Sequence, residues 1–130
     1  MADQFKILAQ VLPTATGSDT TAYTVPVAAA TTVGTVAVSP KSLFEIPQVL
    51  VTSIIVCNTD SSDRTFQIRL KTSDAVDDDF KEMLFYDTAI AAKATQVLSL
   101  GLVLESGNVI KVRPSVTIKL AFTIMGIEVT

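Results

Sequence analysis

The chain has 130 residues, of which 48% are hydrophobic and 18% charged, and 10 basic against 13 acidic side chains leave a net charge of -3. That length fits one domain, the apolar content excludes intrinsic disorder, and a charge fraction below the ordinary ~25% implies uncharged surface that other subunits would cover. Lys and Arg are scattered and outnumbered, which argues against nucleic acid as a partner.

The opening Met1-Ala2-Asp3-Gln4-Phe5-Lys6 has no basic region leading into a long apolar core, so no secretory signal is expected. Apolar stretches are interrupted before the ~18–20 residues of a membrane helix, and the expectation is a soluble protein made in a reducing cytosol. Phe5 to Leu12 reads as a first strand, ended by Pro13 and the polar Gly17-Ser18-Asp19. Residues 1–15 can thus be a strand of the domain or an N-terminal arm. Thr20 to Val27 reads as a second strand with Tyr23 and Val25 on one face. From Thr20 to Pro40 there is no charged side chain. Within that span Ala28 to Val38 is strongly β-prone and lacks the charges that guard a free edge. It reads either as an internal hairpin or as an edge that pairs with a neighbouring subunit, which makes 27–47 a candidate interface segment.

Gln48 to Asn58 is rich in Val, Ile and Thr and apolar on both faces, as a central strand would be. Cys57 within it reads as a buried thiol. Asn58 to Asp63 is a turn by composition. Phe66, Ile68 and Leu70 then alternate with Thr65, Gln67, Arg69 and Lys71, predicting one buried and one wet face. Asp77 to Met83 could form a single helical turn, and Leu84 to Ile90 another strand. Leu98, Leu100, Leu102 and Leu104 share a face opposite Ser99, Gly101 and Val103. Glu105-Ser106-Gly107-Asn108 turns the chain into Val109 to Arg113, and Pro114-Ser115 breaks it. Ile118, Leu120, Phe122 and Ile124 share a face in a last strand running to Val129. About eight short strands separated by turn signals predict an all-β, single-domain antiparallel sandwich of jelly-roll type, with Phe66, Phe85 and Phe122 in its core.

Chemistry is sparse. With no histidine and one cysteine, Ser-His-Asp and Cys-His catalysis, structural zinc and an intrachain disulfide are all excluded. Five glycines form neither a phosphate loop nor a dinucleotide fingerprint. Asp74, Asp77, Asp78, Asp79 and Glu82 make one acidic cluster, but without the spacing of a calcium loop; it reads as a solvated loop. A carbohydrate cleft lacks its aromatics, since there is no Trp and Tyr is limited to Tyr23 and Tyr86. Neither an enzyme nor a cofactor is expected.

Lys6-Ile7-Leu8-Ala9-Gln10, Ala22-Tyr23-Thr24-Val25-Pro26, Ile55-Val56-Cys57-Asn58, Thr65 to Arg69, Phe85-Tyr86-Asp87, the Leu98 to Leu104 strand and Phe122 to Thr130 follow one another in order. In this the chain resembles small β-sandwich virion proteins of tailed bacteriophages, with a Tyr-Thr-Val-Pro segment, a Val-Cys-Asn strand end and a closing Gly-x-Glu-x-Thr. It departs from them between Ala28 and Pro47, where their link is shorter. The resemblance implies a head decoration (cement) protein, or a neck, tail or fibre component, on the particle exterior. Its implied partners are other copies of itself, as a homotrimer, and the major capsid protein. No functional residue carries over. The residues expected at an interface are Tyr23, Val25, Val33, Val36, Val38, Ile127 and Val129.

Overall fold

The computed structural model describes residues 4–26, 31–33, 36–38, 48–72 and 80–129. Among the described residues ten strands run in chain order: β1 (Gln4–Val11), β2 (Thr20–Thr24), β3 (Thr31–Val33), β4 (Val36–Val38), β5 (Gln48–Asn58), β6 (Arg64–Lys71), β7 (Met83–Ile90), β8 (Thr95–Glu105), β9 (Val109–Pro114) and β10 (Leu120–Val129). A short 3-10 turn at Phe80–Glu82 precedes β7, and among the described residues no helix is long and apolar enough to cross a membrane.

The pairing is nested. β1 pairs with β10, β2 with β9, β5 with β8 and β6 with β7, all antiparallel, as in one long hairpin. Rolling that hairpin brings β10 against β5 and β9 against β6. Two four-stranded sheets result, ordered β1-β10-β5-β8 and β2-β9-β6-β7, which is a jelly roll. β3 and β4 form a separate two-stranded hairpin between β2 and β5. The charge-free segment therefore carries a strand pair that joins neither main sheet among the described residues.

Alternation puts Val49, Val51, Ile54 and Val56 of β5, Phe122 and Ile124 of β10, and Leu104 of β8 against Phe66, Ile68, Ile110, Val112 and Ile90 of the other sheet; all are 0–1% exposed. Phe66 lies edge-on to Phe122 across the sheets, with centroids 6.0 Å apart, and Phe85 packs on Phe66 at 6.3 Å. Such ring contacts add to the area they bury.

Four connections meet at one end of the sandwich and are stitched around Asn58, which is fully buried. Its Nδ2 donates to the carbonyls of Ser62 (2.9 Å) and Ala91 (3.1 Å), and its Oδ1 accepts from the Asp60 N–H at 2.9 Å. Ile118 N–H donates to the Pro13 carbonyl and Thr59 N–H to that of Lys119, tying the remaining loops in. The turn read from composition at Asn58 to Asp63 is this knot. At the opposite end Gly107, at φ 84°, closes the β8–β9 turn.

Three expectations are corrected. β2 ends at Thr24, because the Val25 N–H and carbonyl bond Asn108 and Gly107 in the β8–β9 turn. Ile118 does not share the inner face of β10: it precedes the strand, stands 55% exposed and holds φ at 57°. Cys57 is half-buried on the outward side of β5, paired with Ala121 and Thr95, so it is not a core thiol.

Candidate interaction surface

Residues directly opposite each other on paired strands share a face, so the registers define what each sheet presents outward. Across β1-β10-β5-β8 the outward rows are Phe5–Ile127–Leu50–Val103, Ile7–Met125–Ser53–Ser99 and Gln10–Thr123–Ile55–Val97. They are flanked by Ala121–Cys57–Thr95 at one end and Val129–Gln48–Glu105 at the other. Glu105, at a corner, is the one charge in these rows. Lys6 belongs to the alternate set and pairs with Glu128 at 2.8 Å.

This face is open. Phe5 is 77% exposed and Ile7 56% on β1, and Val97 is 62% and Val103 67% on β8. Phe5, Lys6, Ile7, Thr52, Met125 and Gly126 line a hollow of about 410 Å³ beside β1. Where the face meets the stitched loops, Leu12, Ile118, Ala121 and Thr123 line a second hollow of about 420 Å³. Ile118 shows its side chain there from a left-handed backbone that a β-branched residue rarely adopts.

The outward face of β2-β9-β6-β7 has the reverse character. Its rows bring Arg69 opposite Lys111, Gln67 opposite Arg113 and Lys71 opposite Val109. Arg69 is only 5% exposed, Lys71 3% and Val109 0%, which corrects the expected wet face on β6. Like charges directly opposite repel, and Asp19 of the β1–β2 connection offsets this. One of its oxygens lies 3.1 Å from Arg69 Nη1, and the other accepts from Arg113 Nε at 2.9 Å. Lys71 sits 3.9 Å from Glu82. Gln67 Nε2 donates to Asp87 Oδ1 at 2.8 Å, where β7 carries Asp87 at φ 46° in an irregularity of its pairing.

The expected interface residues separate. Ile127 and Val129 lie on the neutral face. Val25 is corrected: it is 0% exposed within the core cluster, so it serves the protomer's own packing. Tyr23 packs against that core from edge strand β2, and its enclosed hydroxyl has no hydrogen-bond partner among the described residues. Burial, and then the charge of Glu128, raise its pKa above the ordinary 10.0. Val33, Val36 and Val38 lie on the β3–β4 hairpin, where side-chain positions fall outside the description. Asp74, Asp77, Asp78 and Asp79 also lie outside the described residues; Glu82 faces Lys71.

Sequence reasoning passed over Phe5, Ile7, Leu50, Ile55, Val97 and Met125. The signal was present in β5 and β8: their outward set carries no charge from Gln48 to Cys57 or from Thr95 to Val103, although one side of a sandwich strand ordinarily meets water. Among the described residues no three His, Cys, Asp or Glu side chains converge as metal ligands. No protein-family profile, curated protein or solved structure matches the chain.

Proposed function

We propose that this chain is a structural protein of a tailed-bacteriophage virion, a homotrimeric decoration (cement) protein that bridges coat subunits on the outside of the head. One observation carries the reading: a jelly roll exposes a whole sheet face without charge except Glu105. Large uncharged faces on soluble domains mark association surfaces, and a lattice protein needs such surfaces in many copies. The ordered resemblance from Lys6 to Thr130 supplies the phage context, and the lack of histidine agrees with a role in assembly. The role uses no cofactor, nucleic acid or membrane.

Quantitative mass spectrometry of purified virions tests it. Copy numbers of the same order as the major capsid protein are expected; a handful per particle removes the decoration role. A neck, tail or fibre position is the second reading, and Phe80 and Tyr86 favour it. The two rings stand 72% and 55% exposed with centroids 5.8 Å apart, and exposed aromatic rings are common binding anchors. Low copy number, with binding lost in Tyr86→Ala, would select that reading.

A further inference from the structure

We infer that the neutral outward face of the β1-β10-β5-β8 sheet is a homotypic interface, occupied by a second copy of this chain. The inference rests on the assembling role proposed above and assigns the surface that performs self-association.

Area is the first argument. Four strands about 4.8 Å apart, with about 3.3 Å of rise per residue, give the face roughly 19 by 30 Å in plan, on the order of 600 Å² before corrugation. A stable interface takes about 800 Å² from each partner. The sheet face and the adjoining Leu12–Ile118 margin, both exposed, supply most of one such side.

Charge is the second. An anionic or cationic partner would find no counter-charge in the rows except Glu105 at the corner, and Lys6 at the rim of the β1 hollow is already paired with Glu128, whereas a second copy brings an equally neutral face. Shape is the third. The β1 margin carries the hollow between Phe5, Ile7 and Met125, and the β8 margin carries the projecting Val97 and Val103. One surface thus holds both the knob and the receptacle for a second copy of itself. Ile118 agrees with this: its strained backbone keeps an apolar side chain outward at the same face, and such strain persists where the surroundings use it.

The test uses the full chain in sedimentation equilibrium and native mass spectrometry. Wild type is expected as an oligomer. Val103→Lys puts a charge without a counter-charge into each contact and is expected to weaken self-association by about 100-fold or more, whereas Thr21→Glu on the other sheet leaves the mass unchanged. Cys57, half-buried on the same face, gives a second readout. Its alkylation by a neutral maleimide should be slow in the oligomer, faster on dilution and fast throughout in Val103→Lys. Should Val103→Lys lose its β-sheet circular dichroism, Val97→Lys on the same margin replaces it. A wild type monomeric at the highest attainable concentration, or a folded lysine variant with wild-type mass and affinity, overturns the inference. So does a lysine variant of unchanged mass that no longer binds virions, which would give the face to the coat protein. Self-association lost in the variant, with the chain scarce on virions, supports this inference while removing the decoration role.

Discussion

On the β2-β9-β6-β7 sheet the outward rows hold Arg69, Lys71, Lys111 and Arg113, and the first two are almost inaccessible; on β1-β10-β5-β8 the outward rows hold no charge but Glu105 and stand open. A monomer built for solubility would place these faces the other way round, because charge is costly to bury and apolar surface is costly to expose. The charged face is completed within the chain, by Asp19 reaching Arg69 and Arg113. The neutral face has no such completion within the described residues. The difference teaches that one sheet is completed by the chain's own connection, while the other is left uncovered among the described residues and is the face proposed above for a second copy.

Asp19→Ala breaks the completed side and is expected to have the largest effect. It removes the carboxylate that Arg69 and Arg113 share, with side chains of Arg69 and Asp19 only 6% and 10% exposed. Losing one partner of a buried pair costs about 3 kcal/mol or more. Urea denaturation of Asp19→Ala should show that loss, and Asp19→Asn should recover only part of it. A midpoint equal to wild type would mean that the buried cations are satisfied without Asp19.

Gly126→Ala probes the neutral sheet from inside. Gly126 sits at the shift in pairing between β10 and β5, and an added Cβ would overlap the Leu50 carbonyl oxygen and come within 3.1 Å of Leu8 Cδ1. Backbone cannot yield as a side-chain tip does, so about 1–3 kcal/mol is the expected loss, read as a lowered Tm. Gly101→Ala is the control on the same sheet, since nothing lies within 4 Å of a Cβ there. Equal melting temperatures for the two variants would place the bulge elsewhere.

Strand content was legible because local pattern decides it. β5 runs from Gln48 to Asn58 as its β-branched run dictates, and the inward leucines of β8 follow their period of two. What could not be read depends on residues distant in the chain. Arg69 and Lys71 look solvated by alternation alone, and only the fold brings Asp19 to Arg69 and Glu82 to Lys71. Ile118 fits the period of β10, yet a hydrogen bond to Pro13 holds it in a conformation that periodicity does not encode. The neutral face needed the order β1-β10-β5-β8 before separate uncharged positions became one surface. Tyr23 and Val25 do share a face, as their spacing predicts, but that face is the core side and not the expected interface, and burial there takes Val25 out of any interface.

Tyr23→Phe has the smallest expected effect and sharpens the boundary between the sheets, where the enclosed phenol sits near Glu128. A buried hydroxyl without a partner contributes desolvation cost and no bond, so its removal should leave stability equal to wild type or raise it by up to about 1 kcal/mol. The sign of the pH dependence follows from the raised pKa. Folding favours the neutral phenol, so the native state holds its proton where the unfolded chain releases it. Stability is then unaffected by this group below the ordinary value of 10.0 and falls as pH rises through it toward the folded pKa. Melting curves from about pH 9 to about pH 11 should therefore decline less steeply in Tyr23→Phe than in wild type. Identical slopes with a lower Tm throughout would mean that the hydroxyl is hydrogen-bonded and that the β2 edge is closed by polar contacts instead of by packing.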